Sequence, residues 1–177
     1  MELTSTAYVI LGMLHWRPRS GYEIKSAVDS STRFFWAASY SQIYPELKRL
    51  EKLGLVEGEA APQGGRQRRV FKVTAAGRRE LRKWLERPAE TFELRSEGLL
   101  KLFFSESASP ERGIELLREQ AARHAANVEQ LREIESELDK GGYPYLVLRN
   151  GIEFNEWASD WYERAARQLA RRAKAAA

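Results

Sequence analysis

Tyr40-Ser41-Gln42-Ile43-Tyr44-Pro45-Glu46-Leu47-Lys48-Arg49-Leu50-Glu51-Lys52-Leu53-Gly54-Leu55-Val56 is the stretch on which the fold turns. Ile43, Leu47 and Leu50 recur at helical spacing, Leu53 extends the stripe, and Gly54 supplies a C-terminal stop. Pro45 has no N–H to give, a loss tolerated in a first turn, so the sequence places the helix start near Ser41, an acceptable N-cap. On a wheel anchored at Ile43, the face turned away from the apolar stripe carries Ser41, Pro45, Lys48, Arg49 and Lys52, flanked by Gln42 and Tyr44, with Tyr40 just ahead. That face is polar and cationic. Gln42 can pair both ends of its amide with an adenine edge, Ser41 and Tyr44 can donate to a phosphate or a base, and the three cations reach backbone oxygens. An ordinary solvated helix face has the same composition, so the neighbouring sequence has to decide.

After Gly54 the hydrophobic period changes. Leu55 to Ala61 and Arg69 to Thr74 read as two short strands, separated by Pro62-Gln63-Gly64-Gly65-Arg66-Gln67-Arg68, a turn-rich basic tip. Arg66, Arg68, Arg69 and Lys72 fall within residues 63–72, which contain no acid, and Gly64 and Gly65 allow close backbone approach. Thr74 then caps a helix to about Arg87, with Leu81, Trp84 and Leu85 as its apolar face and Pro88 as its end.

Upstream, Thr4 to Leu14 reads as a largely buried helix, with Ala7, Leu11 and Leu14 on one stripe and Arg17-Pro18 beyond it. Ser20 to Glu23 fits a capping box that opens a second helix through Ile24 and Ala27 to about Val28. Ser30 to Ser39 reads as a loop pinned by Phe34, Phe35 and Trp36. The order is helix, helix, helix, basic hairpin, helix. In that layout a recognition helix enters the major groove and a wing touches the adjacent backbone, although a basic hairpin also suits an acidic protein or an RNA.

Charge is segregated in the same sense. Residues 1–90 carry 16 Lys and Arg against 10 Asp and Glu, a balance of +6, whereas residues 91–177 carry 13 against 15, a balance of −2. A localised positive field suits a polyanion, because cations that neutralise phosphates release condensed counterions. With no cysteine among 177 residues, disulfides, thiolate catalysis and thiolate zinc sites are excluded. No apolar run is long enough to cross a bilayer and no leader pattern opens the chain, which predicts a cytoplasmic protein without a membrane partner. An enzyme reading finds little support. His15 and His124, the only histidines, belong to no metal or nucleophile spacing, Glu133, Glu135 and Glu137 read as solvated charge, and no phosphate-binding or dinucleotide motif calls for a cofactor.

Residues 88–94 interrupt the pattern, and the remainder of the chain reads as helical: about Glu97 to Phe104, a long helix opened by Ser109 and Pro110, a break at Gly141, Gly142 and Pro144, and a last helix from about Tyr145 to Ala173. These helices hold more apolar surface than they can cover alone, which predicts a symmetric partner. Phe103, Phe154, Trp157, Trp161 and Tyr162 are candidates for that interface or for an effector pocket, and a packed core accounts for the same aromatic stripe.

The string Tyr40 to Val56, followed by Gly64-Gly65-Arg66, Val70-Phe71-Lys72-Val73-Thr74, Gly77 and Leu81, resembles the PadR family of bacterial regulators over about eighty residues. Leu99-Leu100-Lys101-Leu102-Phe103-Phe104 and the tryptophan-bearing last helix resemble its longer subfamily, which has a helical C-terminal domain. The resemblance implies a homodimer clasped by its C-terminal helices, two winged domains facing successive major grooves, and repression relieved by a small molecule. Phe71 departs from the pattern, standing where the family often has tyrosine.

The expected protein is therefore mostly α. Residues 1–90 are a winged helix-turn-helix with a two-stranded wing, and residues 91–177 are a helical dimerisation domain and candidate effector site. DNA contact falls to Tyr40, Ser41, Gln42, Tyr44, Pro45, Lys48, Arg49 and Lys52 in the helix and to Gly65, Arg66, Arg68, Arg69 and Lys72 in the wing. The expected partners are a palindromic duplex operator, a second copy of the chain, and a small aromatic or hydrophobic effector. The competing reading is a helical protein–protein interaction module that does not touch DNA.

Overall fold

A computed structural model describes residues 3–61, 68–89, 95–105, 109–136 and 138–176. The chain divides into two compact units, Met1–Thr91 and Phe92–Ala177.

In the first unit, helix α1 (Ser5–Trp16) is capped by Thr4, whose hydroxyl accepts from Ala7 N at 3.1 Å. It buries Ala7, Tyr8, Ile10, Leu11, Met13 and Leu14 around most of its girth, as a central helix must. Arg17, held extended by the proline after it, ends the helix. A two-residue strand, β1 (Arg19–Ser20), leads into α2 (Gly21–Asp29) through the expected capping box: Ser20 Oγ accepts from Glu23 N at 3.3 Å, and Glu23 Oε2 accepts from Ser20 N at 2.7 Å. The loop after α2 contains a 3-10 turn at Thr32–Phe34 and is anchored by buried Ala38, not by its aromatics, since Phe35 and Trp36 are exposed.

Helix α3 (Tyr40–Lys52) begins earlier than the position of Pro45 suggests. Ser39, not Ser41, is the N-cap: its N–H donates to Gln42 Oε1 at 2.9 Å, and Gln42 N donates to the Ser39 carbonyl at 3.1 Å. Pro45 then lies inside the helix, and the Ser41 carbonyl forgoes its amide donor. Both residues are on the exposed face, where solvent satisfies that carbonyl, so the extra turn costs little. Ile43, Leu47 and Leu50 pack into the core with Ile10, Leu11, Ile24 and Val28. Each such side chain contributes about 1.5–3 kcal/mol. The helix closes on Gly54 at φ +66°, with Leu55 N donating to Leu50 O and Gly54 N to Glu51 O, both at 2.9 Å.

The expected hairpin forms from β2 (Val56–Ala61) and β3 (Arg68–Val73), paired antiparallel with Gly58 opposite Phe71 and Glu57 opposite Lys72. A third strand adds to the two that the sequence predicts. β1 pairs with the other edge of β3, giving the order β1-β3-β2. Phe71 and Val73 share one face of β3 and are buried. Thr74 caps α4 (Ala75–Leu85), accepting from Gly77 N at 3.0 Å. Of the expected apolar face, Leu81 is buried, Trp84 stacks on Tyr8 with centroids 4.5 Å apart, and Leu85 is exposed.

In the second unit, α5 (Glu97–Phe103) precedes two long helices, α6 (Pro110–Glu135) and α7 (Tyr143–Ala176), which pack along each other antiparallel. Leu117, Ala121, Tyr162 and Ala166 form their shared core with Leu102, Trp161, Ala165 and Leu169 at its edge. Ser159 Oγ donates across the pair to Ala121 O at 3.0 Å. No helix among the described residues is long and apolar enough to cross a membrane.

Candidate nucleic-acid interface

The apolar stripe of α3 faces inward, so its other side is presented to solvent by construction. Tyr40, Ser41, Gln42, Tyr44, Pro45, Lys48 and Lys52 are all exposed there. Among the described residues, Lys48 and Lys52 stand without an acidic partner, whereas Arg49 is half-buried and its guanidinium pairs with Glu46 at 2.8 Å. Gln42 corrects a sequence expectation. Its amide oxygen accepts from both Ser39 N and Ser39 Oγ, at 2.9 and 3.1 Å, so only its amide N–H groups are available to a base. Pairing of both amide ends with adenine would require the cap to open. Ser41 Oγ is likewise engaged, at 2.8 Å from Ser39 Oγ.

An aromatic row extends this face onto α2. The rings of Tyr22, Tyr40 and Tyr44 succeed one another with centroid separations of 6.4 and 6.2 Å, at exposures of 65%, 45% and 46%. Lys25 Nζ stands 5.5 Å from the Tyr40 ring centroid while paired with Asp29. The Tyr44 ring lies against Gly21, the first residue of α2. Sequence reasoning missed Tyr22 and Lys25. A signal was present, because Tyr22 is an aromatic lying off the Ile24 and Val28 stripe at the start of an amphipathic helix.

The hairpin is less uniformly basic than residues 63–72 suggest, because its other strand carries acids. Lys72 pairs with Glu59 and, at 3.6 Å, with Glu57, and the Glu59 carboxylate holds its ammonium above the ordinary lysine value. Arg69 turns back toward α3, where its two terminal nitrogens donate to Glu51 at 3.1 and 2.6 Å and one of them also to Gly58 O at 3.0 Å. That guanidinium holds the Glu51 carboxyl below the usual carboxylate range. Both cations are therefore engaged within the fold instead of standing free for phosphate. Gly65 and Arg66 lie outside the described residues, and Arg68 is placed as the first residue of β3.

The aromatic candidates of the second unit separate into two groups. Tyr162 is buried and stacks on His124 at 5.5 Å, and Trp161 is half-buried with an edge-on contact to it at 5.0 Å. These two are core. Phe103, Phe154 and Trp157 are instead exposed, Phe103 to 80% and Trp157 to 58%. Beside them, buried Asn155 accepts from Asn127 at 3.1 Å, meets His124 Nδ1 at 2.7 Å and donates to Gly151 O at 2.8 Å, which fixes α6 against α7.

Residues 10–83 match the family described as Transcriptional regulator PadR-like family, and residues 94–170 match Virulence activator alpha C-term. The chain is 30% identical over 168 residues to the negative transcriptional regulator PadR of Bacillus subtilis (strain 168), a match covering 88% of this chain and 92% of that one. The crystal structure of Bacillus subtilis PadR in complex with operator DNA is similar with a TM-score of 0.83 at 30% identity, over 94% of this chain and 99% of that one. The Bacillus subtilis PadR structure in complex with p-coumaric acid gives a TM-score of 0.74 at 28% identity, over 93% and 98%. With likeness running through both units and a relative at this identity, the chain belongs to the PadR-like family of transcriptional regulators.

Proposed function

We propose that the chain is a DNA-binding repressor that reads a palindromic operator as a homodimer in the cytoplasm. The carrying observation is the exposed face of α3, where Tyr40, Gln42, Tyr44, Lys48 and Lys52 stand over a stripe buried by Ile43, Leu47 and Leu50. A rigid helix with a polar, cationic outer face supports groove entry, with bases met near its N-terminal end and phosphates by the lysines. Tyr22 and Lys25 widen that surface. The hairpin acts as the wing, and its phosphate contacts fall to Arg66 and Arg68. Residues 1–90 are the reading domain and residues 91–177 the dimerisation domain. Two copies then meet half-sites about 34 Å apart, one helical turn of duplex.

The relative solved with p-coumaric acid supports a small aromatic effector for this chain as well, acting through the second unit. The wing is tested by fluorescence anisotropy on a duplex recovered by the wild-type chain from a random-sequence pool. Replacing Arg66 and Arg68 together by alanine weakens binding across sequences and lowers the slope of log affinity against log salt by roughly 2, at about 0.9 per lost phosphate contact. An unchanged slope would remove the wing from the interface.

A further inference from the structure

Three side chains and one backbone converge where the reading helix meets the hairpin. Glu51, in the last turn of α3, accepts from Gly58 N at 3.1 Å and from both terminal nitrogens of Arg69. Arg69 donates back to Gly58 O, and its guanidinium lies over the Phe71 ring at 5.3 Å. Both backbone polar groups of Gly58 therefore take part. A Cβ at residue 58 would stand 2.7 Å from an Arg69 guanidinium nitrogen, 2.7 Å from the Phe71 ring and 2.9 Å from the Glu51 carboxylate, so the clasp closes only around glycine. We infer that Glu51 and Arg69 are positioning residues, which fix the wing against the reading helix before DNA arrives. This inference rests on the assignment of α3 and the hairpin as the DNA-contacting pair.

The location of the clasp supports the role. Toward the tip, Phe71 is the last buried residue of β3 among those described, and Glu59 and Ala60 on the opposite strand are exposed. A two-stranded ribbon beyond its core contacts twists and splays readily. Arg69 lies two residues past Phe71, so the clasp is the outermost tie between hairpin and helix among the described residues. Ordering the wing in the free protein removes that entropic cost from the binding step.

Simple electrostatics predicts the opposite sign, which makes the inference sharp. Glu51 is a carboxylate on the helix that carries Lys48 and Lys52, and Arg69 is a cation it neutralises. Removing the acid makes the chain more positive, frees Arg69, and on charge alone strengthens binding. A positioning role predicts that binding weakens.

The test uses the full chain and the pool-selected duplex. Glu51→Gln is expected to bind about tenfold more weakly, and Gly58→Ala, which alters no charge, to match it, with both variants showing wild-type circular dichroism. The decisive readout is coupling to the wing. Replacing Arg66 and Arg68 by alanine is expected to cost affinity in the wild-type background and to be nearly silent in the Glu51→Gln background. Equal or tighter binding by Glu51→Gln, or costs that simply add, would overturn the positioning role while leaving the wing contacts intact. Silence of the arginine replacement in the wild-type background would instead sink the wing reading, and this inference with it.

Discussion

Gln42 has two tasks that substitutions can separate. Its oxygen closes the start of α3 by accepting from Ser39, and its N–H groups face solvent on the reading side. Gln42→Ala removes both, so it is expected to lower stability by about 0.5–1 kcal/mol, the usual cost of a lost helix cap, and also to change base preference. Gln42→Glu keeps an acceptor for Ser39 and places a negative charge favourably in the first turn, so its unfolding midpoint in urea is expected to match or exceed that of the wild type. The same carboxylate facing phosphates is expected to weaken duplex binding at least tenfold. A Glu variant that binds like the wild type would show that Gln42 serves only the cap. The sequence displayed the residue type and its outward position. It could not display the cap, because the constraint drawn from Pro45 moves the helix start to Ser41.

Among elements, the helices were legible because each announces itself locally. Thr4, Ser20, Thr74 and Ser109 all cap the helices that their spacing predicts, and the Ile43, Leu47 and Leu50 stripe is buried as its period requires. The features that spacing does not reveal join residues far apart in the chain. β1 is two residues long, too short for any alternation, and exists only because β3 offers it an edge. The Glu51 to Arg69 clasp spans 18 positions, and the acids that occupy Lys72 come from the facing strand. Depression of the Glu51 carboxyl makes the clasp sensitive to acid in a definite direction. Its contribution is present in full above the ordinary carboxylate range and is lost as pH falls through the lower value that Glu51 has in the folded chain. Both partners are substantially exposed, so solvent screening limits the contribution to about 0.5–1 kcal/mol. Urea unfolding should therefore show the wild type above Glu51→Gln at neutral pH, with the difference closing in acid below the carboxylate range. A difference that persists there unchanged would mean that the stabilisation does not come from the ionised clasp.

At the scale of the whole molecule, the sequence signalled that the second half holds more apolar surface than it can hide, but not which residues do so. Burial of Tyr162 and half-burial of Trp161 show why: an aromatic stripe on a long helix faces its neighbour on one side and solvent on the other, and spacing alone does not separate the two. The uncovered apolar side chains lie on two elements, Leu99, Leu100, Phe103 and Phe104 around α5 and Leu146, Val147, Phe154 and Trp157 on α7. Exposed apolar side chains in this number need a partner, and for a family of regulators that reads two half-sites the economical partner is a second copy. Replacing Phe103 and Trp157 together by aspartate touches neither the Leu117 core nor the Asn155 network. Sedimentation velocity is then expected to show a monomer of wild-type helicity where the wild type sediments as a dimer. Linking two readers makes the second contact intramolecular, so the monomer is expected to bind a palindromic duplex about a hundredfold more weakly while retaining its affinity for a single half-site. A double variant that still sediments as a dimer would place the interface on other residues, and a monomer that binds the palindrome as tightly as before would show that each reading unit acts alone.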